Sequence, residues 1–350
     1  MQVTFGIDVS KSTSTVCELI GESKNELTIT NNRPGFIQLL HELTAFSKHP
    51  QIIFEATGVY SRKLQSFLED YGYDYVILNP LKAKKEMDMG LRHNKTDKTD
   101  AYHLALIQRL YHHPINQLQS QTYRQLNSLS RFYDQLTADL VMAKNRLHQA
   151  LQSTFSEIEN LFSCAKGKNY WQIVVQYPHC DLVRREDKKQ LINWLMSLKG
   201  IGFRHALKTA DKLIELAHQA YPVVSCSSIE VKQVQYYAHR LLNLSDQREN
   251  LIARMVKLAK SLPSHDLENL QSIPGFAQTT AVRVLAELGD LRRFSNPNKI
   301  NAFIGIDPGR YQSGEMDSSL SITKHGNAVA RKLLYRAIGQ IDNAAKTNPC

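Results

Sequence analysis

At 350 residues, with 42% hydrophobic and 22% charged side chains, the chain can bury two or three modest cores and is too apolar to be disordered. A formal charge of +10 and a pI near 9.2 point to an anionic partner, usually nucleic acid, because each neutralised phosphate releases counterions. Five cysteines without a CxxC pair exclude a disulfide scaffold and fit a reducing cytoplasm, and no apolar run nears the ~18–20 residues of a membrane span. No signal peptide is expected, because the chain enters a strand pattern at once. His112-His113 and His179-Cys180 lack zinc-ligand spacing and read as structural or surface residues.

Strand and helix patterns alternate over the first third. Gln2 to Asp8 reads as a strand with Asp8 at its carboxyl end, and Thr13 to Ile20 and Glu26 to Thr30 read as two more, joined by hairpin-type turns. Asn32-Arg33-Pro34-Gly35 opens a helix to about Phe46, and Gln51 to Glu55 is a strand that carries Glu55 to its end. Ser61 is expected to cap a helix that stops at Gly72, before a fifth strand from Tyr73 to Leu78. Three antiparallel strands followed by parallel βα units is the RNase H order.

The lysine-rich stretch from Leu81 to His93 reads as a mobile basic flap over nucleic-acid backbone or, about equally, as a solvated surface segment. Beyond it, Asp97 and Asp100 stand three residues apart at the head of a helix whose apolar stripe continues through Leu104 and Ile107, which predicts both acids on the inward face. Two inward carboxylates repel unless a proton or a cation holds them. Asp8 and Glu55, at the ends of neighbouring strands, would complete an oxygen cage suited to Mg²⁺ or Mn²⁺ and to two-metal phosphoryl transfer. Taken singly, each acid is more often a solvated or capping residue.

From Thr122 to Leu151, apolar residues alternate by three and four (Leu126, Leu129, Tyr133, Leu136, Leu140, Ala143, Leu147), as in a coiled coil, and Val234, Leu241, Leu244, Leu251, Met255 and Leu258 form a second such run. Oligomerisation through these helices is expected, with an intramolecular antiparallel pair as the alternative. Between them, Leu198-Lys199-Gly200-Ile201-Gly202-Phe203 precedes a helical run, and a similar phrase recurs at Ser272-Ile273-Pro274-Gly275-Phe276-Ala277. Each reads as half a helix-hairpin-helix, whose glycine turn lets amides at a helix amino terminus hold a phosphate without reading bases; the first copy reads equally as a capping turn.

Near the carboxyl end, Ser313-Gly314 falls in a polar stretch expected to be a turn with an accessible hydroxyl, and Arg310, Lys324 and Arg331 are close enough in sequence to hold a phosphate beside it. A Ser-Gly pair alone is usually just a turn, and Asp307 before Pro308 also reads as a turn residue.

Three blocks, Gly6-Ile7-Asp8-Val9-Ser10-Lys11, Phe54-Glu55-Ala56-Thr57-Gly58-Val59-Tyr60 and Lys95-Thr96-Asp97-Lys98-Thr99-Asp100-Ala101, resemble those of the DEDD transposases. That family includes the Piv-type DNA invertases and the IS110/IS1111-type insertion-sequence transposases, the bridge-RNA-guided recombinases. The resemblance implies an α/β plus all-α protein: a RuvC-like, RNase H-like domain over 1–115, coiled-coil helices with a helical insert over 116–262, and a helical transposase domain over 263–350. It implies a tetrad at Asp8, Glu55, Asp97 and Asp100 that binds Mg²⁺ or Mn²⁺, and a nucleophilic serine at Ser313 that attacks the DNA phosphodiester. The tetrad would act on that serine from a different domain or a different protomer.

Lys11, Lys95, Lys98, Pro274, Gly275, Arg310, Lys324 and Arg331 are the expected nucleic-acid contacts. The implied partners are DNA, a noncoding bridge RNA and further copies of the chain as a dimer or tetramer, in the bacterial cytoplasm at the nucleoid, with no membrane. Two departures stand out: the family often carries arginine where this chain has Ser321, and its members usually continue with more helix beyond this block. Alternative readings are a resolvase-like nuclease that hydrolyses with water, an inactive nucleic-acid-binding remnant, and an actin-like kinase or ATPase. The last would need a second phosphate loop, which this sequence does not offer.

Overall fold

The computed structural model describes residues 3–46, 49–87, 97–116, 119–163, 167–313 and 316–347, with backbone alone at 81, 84, 87, 309–313, 316–320 and 347. The chain divides into two compact units, Met1–Leu118 and Gln119–Cys350.

The first unit is a mixed five-stranded sheet flanked by helices. β1 (Val3–Val9), β2 (Thr13–Ile20) and β3 (Ser23–Thr30) form an antiparallel meander. α1 (Arg33–Thr44) leads to β4 (Gln51–Glu55), parallel to β1, and α2 (Ser61–Asp70) leads to β5 (Tyr75–Leu78), parallel to β4. The strand order is β3-β2-β1-β4-β5. Alternation splits the side chains between the faces. Phe5, Ile7, Val9, Val16, Ile52 and Phe54 are buried with Phe36, Leu39 and Leu43 of α1 and Leu64, Phe67 and Leu68 of α2. Against the other face lie α3 (Pro80–Met87) and α4 (Asp97–Tyr111): Ala83, Leu104 and Ile107 pack on Ile53, Val76 and Leu78, and Ala101 and Ala105 pack on Cys17 and Leu19.

Two expectations for this unit are corrected. Ser61 is the first helical residue rather than the cap, and its hydroxyl donates to the Gly58 carbonyl at 3.4 Å, whereas Asn32 does cap α1 by accepting from the Gly35 amide. The basic stretch begins as a helix and not as a flap. Pro80 supplies a φ suited to its first turn, and Ala83, fully buried, anchors it to the sheet. Residues 88–93 of that stretch, and Lys95, lie outside the described residues.

The second unit is helical apart from one hairpin. α5 (Gln121–Thr154) is followed by the insert helices α6 (Lys168–Gln176), α7 (Cys180–Arg185), α8 (Lys188–Ser197) and α9 (Phe203–Gln219), and by α10 (Ile229–Lys260). Then come α11 (Asp266–Gln271), α12 (Gln278–Leu288), α13 (Pro297–Ile304), a hairpin of β6 (Pro308–Ser313) and β7 (Met316–Ile322), and α14 (Ala328–Thr347).

The helices α5 and α10 pack against each other antiparallel within one chain. Tyr123 and Leu126 share a core with Met255 and Ala259, Tyr133 meets Arg248, Asp139 pairs with Arg240 at 3.6 Å, and Ala150 lies beside Glu230 and Tyr237. The apolar seams that were expected to join protomers are therefore occupied by each other, which is the intramolecular alternative. Their outer halves and the insert helices enclose one core, and their inner ends enclose another with α12 and α14.

Candidate active site

The sheet sets the positions of two of the four acids. Ile7 is level with Phe54 in the parallel β1–β4 ladder, so Asp8 and Glu55 come next on adjacent strands, at their carboxyl ends. By alternation Asp8 shares a face with Gly6, and Glu55 shares a face with Ile53, which is the face that α4 covers.

Contacts along α4 fix its direction. Lys98 reaches Glu26 at 3.4 Å, the Tyr102 ring lies 4.5 Å from Lys24 Nζ, and Arg109 donates to the Gly21 carbonyl at 2.5 Å. Through the strand registers, Glu26 is level with Gly6, Lys24 with Thr4, and Gly21 lies just past the level of Val3. The helix thus descends β1 antiparallel, so its first turn, bearing Asp97 and Asp100, is the turn on the side of the carboxyl ends of β1 and β4. Close approach of the helix is possible because residue 6 is glycine: a Cβ there would stand 2.1 Å from the Ala101 carbonyl oxygen and 2.5 Å from the Ala105 nitrogen.

Their exposure corrects one expectation. Asp97 is exposed and Asp100 half-buried, not turned into the core, and carboxylates with access to water avoid the desolvation cost that an inward pair would meet. Asp8 and Glu55 are also half-buried. All four end in carboxylate oxygens, the donors that a hard divalent cation takes, and the dipole at the start of α4 favours negative charge, but no three of them bring their oxygens together as one ion's ligands.

Among the basic residues, Lys11 is exposed beyond β1, and Lys98 is exposed but paired with Glu26, whose carboxyl Lys24 and then Lys98 hold below the usual range. In the second unit, Lys324 is exposed with a φ of 56°, while Arg331 donates to the Ile304 carbonyl at 2.7 Å and so closes the end of α13. Pro274 is exposed. Gly275, at a φ of +83°, meets the α14 backbone, where a Cβ would stand 2.5 Å from the Gln340 carbonyl oxygen. That glycine is required by packing, whatever else the turn does.

Ser313 lies in the same unit as these residues. Its backbone ends β6, opposite Met316, so the chain reverses just after Ser313, where a turn was expected, and the reversal joins the two strands of a hairpin. The Arg310 side chain lies outside the described residues. Asp307 locks the hairpin base: its carboxylate accepts from the Thr323 hydroxyl at 2.7 Å and its carbonyl from the Thr323 amide at 3.0 Å. Just past β7, Asn327 caps α14 and also donates to Glu287 Oε2 at 2.9 Å.

Glu287 was not anticipated from sequence. Its side chain is fully buried and accepts from Asn127, Ser130, Arg131 and Asn327 at 2.7 to 3.3 Å. A signal was present: α12 is buried at every position from Ala281 to Leu288, and an acid inside such a helix needs partners.

Two family models match stretches of the chain. An IS110-type DEDD model described as a transposase matches residues 5–156, and a model described as a transposase of the IS116/IS110/IS902 family matches residues 267–348. The pilin gene-inverting protein of Moraxella lacunata is 23% identical over 339 residues, which cover 95% of this chain and 80% of that one. The transposase for insertion sequence element IS1111A of Coxiella burnetii is 35% identical over 94 residues, 27% of this chain and 25% of that one. An uncharacterized 44.8 kDa protein of insertion element IS116 from Streptomyces clavuligerus is 26% identical over 211 residues, 60% of this chain and 51% of that one. The first matched stretch spans all four acids and the second spans the serine hairpin, and on these matches the chain belongs to the IS110-type DEDD transposase family.

Proposed function

We propose that this chain is a DNA transposase or site-specific recombinase that cuts and rejoins strands, with Ser313 as nucleophile and Asp8, Glu55, Asp97 and Asp100 as holders of Mg²⁺ or Mn²⁺. The observation that carries this reading is the meeting of the carboxyl ends of β1 and β4 with the first turn of α4. The strand order β3-β2-β1-β4-β5, with antiparallel pairs on one side of β1 and parallel pairs on the other, supports an RNase H-like, RuvC-like core. Family membership and the charge of +10 support DNA as substrate. A bridge RNA and assembly as a dimer or tetramer belong to the same proposal.

A bound divalent ion supplies Lewis-acid polarisation of the scissile phosphate and eases loss of the serine proton. The residues divide the remaining work. The acids at the strand ends are fixed by the sheet, and the helix acids, partly in water, would join them in holding the ion. The serine oxygen forms a bond to phosphorus as the bond from phosphorus to one deoxyribose oxygen breaks. The serine proton leaves to a base and the departing oxygen takes one up. The covalent phosphoserine keeps the bond energy, so the same step in reverse rejoins the strands. Lys324, exposed beside the hairpin base, offers charge to a phosphate there.

The experiment is incubation of the protein with supercoiled DNA carrying its native flanks, with Mg²⁺ and then with EDTA, followed by denaturing electrophoresis. A protein–DNA adduct is expected with Mg²⁺ and none with EDTA or with Ser313→Ala. Cleavage that persists in Ser313→Ala would replace this reading with a water-using nuclease.

A further inference from the structure

His179 is fully buried, and its Nε2 lies 2.9 Å from the Val224 carbonyl oxygen. A carbonyl only accepts, so the ring proton sits on Nε2 and Nδ1 presents a lone pair. Around that lone pair stand Cys226 Sγ at 3.2 Å, Asp181 Oδ2 at 3.7 Å and Cys180 Sγ at 3.9 Å; Cys226 Sγ and Asp181 Oδ2 are 3.8 Å apart. Arg184 holds the other Asp181 oxygen at 2.7 Å and is itself fixed by the Ala217 and Ala220 carbonyls. That leaves Oδ2 directed at the histidine and the thiol.

We propose that His179 Nδ1, Asp181 Oδ2 and Cys226 Sγ form a binding site for a thiophilic divalent cation of the Zn²⁺ class, separate from the acids of the sheet. With metal–nitrogen and metal–oxygen bonds of about 2.0–2.2 Å and a metal–sulfur bond of about 2.3 Å, the edges of a tetrahedral site run ~3.3–3.6 Å. The three observed separations lie a few tenths of an ångström either side of that range. The bond from Nε2 to a backbone carbonyl is the outer contact that metal-ligating histidines commonly make. The fourth position falls to water.

The plainer arrangement is a histidine that caps α7 through the Asp181 amide at 3.1 Å and accepts the Cys226 thiol proton. It leaves one thiol proton to serve two acceptors, the ring lone pair at 3.2 Å and the carboxylate oxygen at 3.8 Å. A cation answers all three. On binding, the thiol proton leaves to solvent and the cap bond is exchanged for a coordinate bond. The site would clip the start of α7 to the loop that feeds α10. That loop has Tyr221 91% and Val223 78% exposed, so apolar packing does little to hold it.

The test uses full-length protein stripped with chelator and titrated with Co²⁺. One equivalent should produce a thiolate-to-cobalt charge-transfer absorption, which the oxygen-only acids of the sheet cannot give, and Zn²⁺ should displace it. The band should vanish in Cys226→Ser and persist in Cys180→Ser. Asp181→Asn, which keeps an oxygen for Arg184, should weaken cobalt binding by more than about tenfold, since loss of even an outer partner costs that much. Absence of the band from the wild-type protein, or its survival in Cys226→Ser, would overturn the proposal.

Discussion

A methyl group at Gly6 would meet main-chain atoms of α4, not the end of a flexible side chain, so the helix itself would have to move. Gly6→Ala is expected to cost about 1–3 kcal/mol, as overpacking does, and to lower metal-dependent DNA cleavage, since Asp97 and Asp100 ride on the displaced turn. Thermal melting and a cleavage assay on the same preparation check both effects. Glu287→Ala would leave the buried Ser130 hydroxyl without its acceptor, strip Arg131 of its carboxylate and leave Asn127 and Asn327 with backbone carbonyls alone, at a cost of about 1–3 kcal/mol in urea unfolding, with Glu287→Gln milder. At this scale the acids of the first unit were legible because each ends a strand or opens a helix, which are positions that local pattern reveals. Glu287 was not: its partners lie on α5 and at the head of α14, far away in sequence. The cluster around His179 was hidden in the same way, since Cys226 reaches it only through the fold.

The two long helices show what periodicity tells and what it withholds. Their three-four spacing predicted apolar seams correctly, but a heptad does not say whether its partner belongs to the same chain. Here the seams face each other, and the Tyr133 ring sits 4.6 Å from the guanidinium groups of both Arg248 and Arg283. Leu241, fully buried in this pair, tests the point. Leu241→Ala should cost about 2–5 kcal/mol, as cavity-forming core substitutions do, with no change of mass in light scattering. A fall in mass at unchanged stability would show the seam to be shared between protomers. Other elements were misread because short polar stretches carry weak patterns. The reversal after Ser313 was legible in its polar, glycine-containing stretch but the strands on either side of it, Pro308–Ser313 and Met316–Ile322, were not, and α3 was taken for a flap because its lysines outweigh the single Ala83 that anchors it.

For the molecule as a whole, the sheet order was legible because buried alternating strands have few ways to pair, and the split into an α/β unit and a helical unit follows from the change in period after about residue 118. What local patterns could not supply is the relation between acids in one unit and a serine in the other. A basic chain that binds the phosphate backbone should lose DNA affinity linearly in log salt, and a filter-binding titration across salt concentrations reads the number of phosphates neutralised from the slope. The central claim is that these acids and this serine perform one reaction. Its most direct test is to digest the protein–DNA adduct with nuclease and protease and to locate the nucleotide remnant by mass spectrometry. The account predicts a single modified peptide, with the remnant on Ser313, and none from Asp8→Ala protein. A remnant on any other residue, or DNA cut by wild-type protein with no remnant at all, would contradict it.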